Sequence, residues 1–348
     1  MINIHNHTFS RGAIPNKFLG IVTPLLKVPV VNKIFSKLMK KIPYFIDGDE
    51  LDKYANFLTT SDKANQLDIF NELKSQYPAD WKFVILPMDM AYCERGSVPE
   101  DYEDQLDDLS DIARNDNSCI PFVHIDPNRP NCFNVFKEAI EELKFKGLKL
   151  YCNLGYYPTD ERLLPIYDYC NKNNLPVIAH TTPDNPVYYN GSRSQLLERL
   201  QLKELPYSRF RDNIQIFGNP YNYETILKNY PNVNICFAHF GGSDNVDAYI
   251  KNRDLRNWHT YILDLLENYP NAYTDISYTL FDEGLVSYLV ELMNNDKYKD
   301  KILGGSDYYM NQTVGNESYV LNKYKQLVGE TIFEKQFNEN NLRFLKLN

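Results

Sequence analysis

Apolar residues in this chain gather in short runs that alternate with longer stretches of helical periodicity. Eight β-rich runs read as strands: Ile2–His7, Lys82–Met88, Cys119–Ile125, Gly147–Tyr151, Pro176–His180, Val233–His239, Ala272–Ile276 and Ile302–Asp307. Between them lie helical patterns. Val135, Phe136, Ala139, Ile140 and Leu143 form one apolar stripe, which stops at Gly147. Leu67, Phe70, Leu73 and Tyr77 form another. Asn-Tyr-Pro-Asn occurs at 229–232 and again at 268–271, each time just before a run. There proline stops the helix and the chain enters the sheet.

Strands alternating with helices imply a parallel sheet, and eight of them imply a closed (β/α)8 TIM barrel of the α/β class. No Gly-x-Gly-x-x-Gly follows the first run, so a dinucleotide-binding fold has no support. Two connections are long: about seventy residues between the first and second runs, and about fifty between the fifth and sixth. Both leave the ends of strands where barrels build their sites. The insertions, at about 11–60 and 184–218, are therefore expected to serve as lid or substrate wall on one domain spanning 1–348.

Composition narrows the class. A chain of 348 residues, 43% hydrophobic, fits one large barrel. The net charge of −9 argues against nucleic-acid partners. No apolar run is long enough to span a bilayer and no leader pattern opens the chain. Six scattered cysteines without Cys-x-x-Cys read as buried thiols, and the expected compartment is the cytoplasm. Residues 1–46 carry seven lysines and arginines and no acid, and Ile34, Phe35, Leu38, Met39 and Ile42 fall at helical spacing. The segment 18–46 reads as an amphipathic cover for the site rather than as a membrane-surface helix. A small-molecule substrate and a homo-oligomer are the expected partners.

The candidate chemistry lies at the ends of the runs. His5 and His7 stand two apart, and alternation places them on one strand face with Ile2 and Ile4 on the other. Lys149 is near the end of the fourth run, His180 ends the fifth, His239 the sixth and Asp307 the eighth. Strand ends of a barrel converge on one mouth, so these side chains point to a metal site. His124 ends the third run and Asp275 the seventh. Asp275 suits a partner orienting a ligand histidine, or a helix cap. Tyr156 follows the fourth run as a pocket candidate, with Tyr157 beside it. Asp89, Arg193, Arg209 and Arg211 are weaker candidates, and His259 and Trp81 read as packing residues.

In these features the chain resembles the amidohydrolase superfamily, within it the amidohydrolase-related branch that includes the aminocarboxymuconate semialdehyde decarboxylase-like enzymes. The resemblance rests on His5-Asn6-His7, the Lys149 segment with Gly155-Tyr156-Tyr157-Pro158, Pro176-Val177-Ile178-Ala179-His180, Ala238-His239-Phe240-Gly241-Gly242 and Gly305-Ser306-Asp307-Tyr308. It implies that His5, His7, His180 and Asp307 hold a catalytic metal. It implies that His239 is an acid/base or a ligand to a second metal. Lys149, if carboxylated as in binuclear members, would bridge two metals; otherwise its ammonium would bind a substrate carboxylate. Imidazoles with one carboxylate suit one Zn²⁺, with Mn²⁺ or Fe²⁺ as alternatives. Asp307 and His239 are the catalytic candidates. The expected activity is hydrolysis of an amide, lactone or ester. Non-oxidative decarboxylation of an aromatic or unsaturated acid on the same site, and a degenerate non-catalytic barrel, stand as alternatives.

Overall fold

The computed structural model describes residues 1–17, 65–183, 187–279, 283–311 and 316–347. The candidate cover helix within 18–46 lies outside the described residues. Among the described residues there are nine parallel strands: β1 (Ile2–Asn6), β2 (Lys82–Ile85), β3 (Cys119–Pro121), β4 (Val123–His124), β5 (Leu148–Leu150), β6 (Val177–His180), β7 (Ile235–Ala238), β8 (Ala272–Asp275) and β9 (Ile302–Leu303). They occupy eight barrel positions, because β3 and β4 are one strand interrupted at Phe122. The chain changes partner there: the Phe122 amide donates to Ile85, and that of Val123 to Gly147, both at 3.0 Å.

The ladders run β1-β2-β3 and β4-β5-β6-β7-β8-β9. Closure comes from hydrogen bonds between the last strand position and the first, Ile4 N to Gly304 O at 3.1 Å and Asp307 N to His5 O at 2.9 Å. The result is a TIM barrel, with the helices between strands packed outside it. Strand residues segregate by alternation. Val84, Phe122, Ile178, Cys236 and Leu303 form the inner core, while Phe83, Leu148, Val177, Ile235 and Ala272 face the helices. Helix starts follow their caps: Asn65 accepts from the Asp68 amide, Asp101 from that of Glu103, and Asn257 with Thr260 forms a capping box. Gly147 is required where strands crowd, since a Cβ there would stand 2.4 Å from the Phe122 ring and 2.7 Å from the Pro176 carbonyl.

The first strand departs from the expected alternation. Ile2 and Ile4 do not lie on the face opposite the histidines in a simple pleat; they belong to the inner core. The register explains it: Asn3 pairs with Phe83, but Asn6, not His5, pairs with Ile85. One extra residue in β1 makes a bulge, which turns the chain between Ile4 and Asn6. His5 thereby also reaches the interior, where its ring meets Asp275 and His239.

Of the two long connections, the described parts of the second carry their own helices, Arg193–Leu200 and Phe210–Gln215. In the first, Arg11–Ala13 forms a short 3₁₀ turn and Gln66–Ser75 a helix. All six cysteines are free and buried. No described helix is long and apolar enough to cross a membrane.

Candidate metal centre

Two imidazoles leave the first strand side by side, their ring centroids 5.4 Å apart. Each is held by its Nδ1. His5 Nδ1 donates to Asp275 Oδ2 at 2.9 Å, and His7 Nδ1 donates to the Leu86 carbonyl at 2.6 Å. These partners assign the proton to Nδ1 in both rings and leave both Nε2 lone pairs for another ligand. Asp307 adds a carboxylate: its Oδ1 lies 3.9 Å from His7 Nε2. Donor atoms of His5, His7 and Asp307 all lie within 4.8 Å of one another, and those of His5, His239 and Asp275 form a second such group.

Asp275 holds the cluster together. Its Oδ1 accepts from the backbone amides of His239 and Ser277, both at 3.0 Å, and from the Ser277 hydroxyl. Although burial opposes ionisation, the neighbouring His5, His239 and Ser277 hold the Asp275 carboxyl well below the usual carboxylate range. The Asp275 carboxylate thus joins the His5 ring to the His239 backbone. Ser277 was not singled out by the sequence. Its hydroxyl lies 2.9 Å from His239 Nδ1 and 3.2 Å from His5 Nδ1. Serine is too common in strand-end loops for its type to signal this.

His239 Nδ1 also faces the Ser277 carbonyl at 3.0 Å, so its Nε2 is the acceptor toward His180 Nδ1, at 3.0 Å. His180 stacks on Tyr151 at 4.0 Å between centroids. It adjoins the cluster through His239 rather than through the His5–His7–Asp307 group. Burial, with the charges of His5 and Lys149, pushes His239 down to about 3, and His7 is likewise lowered by burial, His5 and Lys149. Both rings are neutral at pH 7, the form that ligates metals. Burial raises Asp307, against the pull of His5 and Lys149. Burial lowers Lys149 to about 8, against the pull of Asp275 and Asp307.

Two backbone features aim these side chains. His239 and Asp307 are non-glycine residues in the left-handed region, at φ 66° and 58°. The approach of the last strand to the first is also tight: a Cβ on Gly305 would stand 2.9 Å from His5 Cβ.

The other candidates fall outside this group. His124 is fully buried, its Nδ1 accepts from the Asp89 amide at 3.0 Å, and it pairs in register with Lys149. Tyr156 is no exposed wall: it is fully buried, its hydroxyl accepts from the Tyr151 amide at 2.9 Å and donates to Ile125 O at 3.2 Å. Asp89 pairs with Arg129 at 2.6 Å. Arg193 donates to the Tyr207 and Ser208 carbonyls, Arg209 lies beside Asp212, and Arg211 covers Tyr188. His259 bonds Tyr288 at 2.8 Å, and Trp81 packs on Tyr77 and Phe337.

At this cluster three buried polar atoms, His5 Nε2, Asp307 Oδ1 and Lys149 Nζ, have no hydrogen-bond partner among the described residues. Leaving such atoms unpaired costs about 1–3 kcal/mol each. Two imidazoles and a carboxylate grouped in this way fit a divalent metal.

A barrel with this cluster at its strand ends defines a class, and comparison with known proteins places the chain within it. A family model described as amidohydrolase matches residues 96–347, which include His180, His239, Asp275 and Asp307 but not His5 or His7. The chain belongs to the amidohydrolase family. It is similar in fold to an uncharacterised TIM-barrel protein from Bordetella bronchiseptica, with a TM-score of 0.58, 16% identity and 99% of each chain covered. An amidohydrolase from Burkholderia multivorans with bound zinc gives a TM-score of 0.57 at 8% identity, covering 100% of this chain and 99% of that one. An amidohydrolase from Mycobacterium avium subsp. paratuberculosis gives 0.51 at 14% identity, covering 99% and 98%. No curated protein matches the sequence.

Proposed function

We propose that this chain hydrolyses a small amide, lactone or ester with the help of one divalent metal, zinc by preference. The observation that carries the reading is the clustering of donor atoms of His5, His7 and Asp307, of which His5 Nε2 and Asp307 Oδ1 are buried without a hydrogen-bond partner among the described residues. The zinc bound by the Burkholderia multivorans structure supports the choice of metal. His5, His7 and Asp307 would hold it, with His180 completing the set. A metal there would act as a Lewis acid and make a water molecule acidic near neutral pH.

The chain's own groups divide the remaining work. Asp275 and the Leu86 carbonyl fix the tautomers of His5 and His7. Asp307, made more basic by burial, takes a proton from the attacking water at a carboxylate oxygen and returns it to the leaving group. His239, neutral, donates from Nδ1 to the Ser277 carbonyl and accepts from His180 at Nε2, and so fixes the orientation of the His180 ring. Arg199, on the helix Arg193–Leu200, donates to the Tyr92 and Leu154 carbonyls in the stretches after β2 and β5, and a cover placed there would restrict access to a small molecule.

Lys149 supports a second reading. Its buried Nζ has no partner among the described residues, and an ammonium there would hold a carboxylate, as decarboxylation requires. A degenerate barrel would have no use for the open donor set.

Purified protein should contain about one equivalent of zinc and hydrolyse members of an amide, lactone and ester panel in a chelator-sensitive way. His180→Ala and Asp307→Asn should lose metal and turnover. Carbon dioxide release from an aromatic acid, with no hydrolysis, would transfer the assignment to the second reading. Two equivalents of metal would favour a carboxylated Lys149, and failure to take up any metal would overturn both readings.

A further inference from the structure

Behind the metal-holding residues, on the outer side of β1, lies a buried polar network that none of the chemistry above uses. Asn3 is at its centre. The Asn3 Oδ1 accepts from the backbone amide of Ser306 at 3.1 Å and from that of His5 at 3.3 Å. Its Nδ2 donates to the Tyr77 hydroxyl at 2.7 Å and to Ser306 Oγ at 2.8 Å. One side chain thus grips the backbone of His5 and of the residue just before Asp307. The bulge in β1 is closed by the same group of residues, since Asn6 Nδ2 donates to the Asn3 carbonyl at 3.1 Å.

An asparagine amide does this only in one orientation, because exchanging its oxygen and nitrogen would set donor against donor. Tyr77 and Glu317 select that orientation. Glu317 is fully buried and accepts the Tyr77 hydroxyl proton, so the Tyr77 oxygen is left as an acceptor for Asn3 Nδ2. Its other oxygen accepts from Asn311 Nδ2 at 3.0 Å. Asn311 belongs to the turn after Asp307, and its amide donates to the Asp307 carbonyl at 3.1 Å. The left-handed backbone at Asp307 is therefore clamped from both sides, through Ser306 and through Asn311.

We propose that Tyr77 and Glu317 are positioning residues of the metal centre: acting through Asn3 and Asn311, they set the β1 bulge and the Asp307 turn so that His5 and Asp307 face a common ion. This rests on the metal reading given above. Neither residue touches the ion. Tyr77 stands 72 residues after His5, and Glu317 ten residues after Asp307.

The test is Zn²⁺ affinity, measured by competition with a chromophoric chelator on the full chain, alongside thermal melting and circular dichroism. Tyr77→Phe removes one oxygen, and Glu317→Gln keeps the shape while making it impossible to accept from both partners. Tyr167→Phe is the control. It removes an equally buried hydroxyl that donates to the Pro158 carbonyl at 2.9 Å, outside this network. The first two variants should bind Zn²⁺ at least about tenfold more weakly than wild type, and the control should match wild type. Unchanged affinity in a folded Tyr77→Phe would overturn the proposal, as would an equal loss in the control. Should Glu317→Gln not fold, Tyr77→Phe decides alone. Wild-type protein that binds no Zn²⁺ would overturn the metal reading together with this one, whereas bound Zn²⁺ with unaffected variants overturns only this one.

Discussion

Asp126 offers a quantitative test of how this barrel treats a buried charge. It leaves the third barrel position with its side chain fully buried. Oδ1 accepts from the amide and side chain of Asn128, both at 2.8 Å, while Oδ2 has no hydrogen-bond partner among the described residues. Burial pushes the carboxyl up from 3.8 to about 7; the Asn128 hydrogen bonds oppose the rise and Asp89 adds to it. Below about pH 4 the proton is held in both the folded and the unfolded chain. Between about 4 and 7 only the folded chain holds it, so stability falls as pH rises, and the loss is complete above 7. At about 1.36 kcal/mol per pH unit, the span from 3.8 to about 7 corresponds to on the order of 4 kcal/mol. Asp126→Asn keeps the shape and the acceptor for Asn128 but cannot ionise. In urea titrations the variant should be more stable than wild type by roughly 2–4 kcal/mol at pH 8, and within about 1 kcal/mol of it at pH 4. A difference that does not change with pH, or a variant less stable at pH 8, would show that Asp126 ionises in the fold without penalty.

Two further outcomes follow from the metal centre. Gly305→Ala would place a methyl group 2.9 Å from His5 Cβ and 3.4 Å from Ile4 Cγ1, so it should lower stability by about 1–3 kcal/mol and weaken metal uptake; an unchanged melting temperature would mean that β1 yields freely. Asp275→Asn removes the charge that holds the His5 Nδ1 proton toward it, and Zn²⁺ affinity in a chelator competition should fall about 10–100-fold, with retention of wild-type affinity counting against an orienting role.

Much of the barrel was legible because its signals are local. Short β-rich runs ending in histidine, as at Pro176–His180 and Val233–His239, mark strands, and the structure has strands there at Val177–His180 and Ile235–Ala238. Asp275 could be suspected because a carboxylate at a strand end near histidines has few other uses. The β1 bulge could not be read. Alternation in Ile2-Asn3-Ile4-His5 predicts one face for Ile4 and the other for His5, and the extra residue that overturns this is held by Tyr77, Ser306 and Glu317, up to 314 positions away. Tyr156 lies deeper than its position in the sequence suggests. Its place after a strand is that of a pocket wall, yet its hydroxyl serves Tyr151 and Ile125 in the interior. The pairing of His180 with His239 depends on ring tautomers set by Ser277, which no spacing encodes.

The left-handed backbone at His239 and Asp307 has a consequence for how this chain tolerates change. A side chain with a Cβ costs about 1–2 kcal/mol there compared with glycine, so each residue opposes the local conformation that carries it. Selection for thermostability alone would exchange these two positions early, for glycine or asparagine. A library screened only for resistance to heat should therefore lose these two side chains before it loses its barrel.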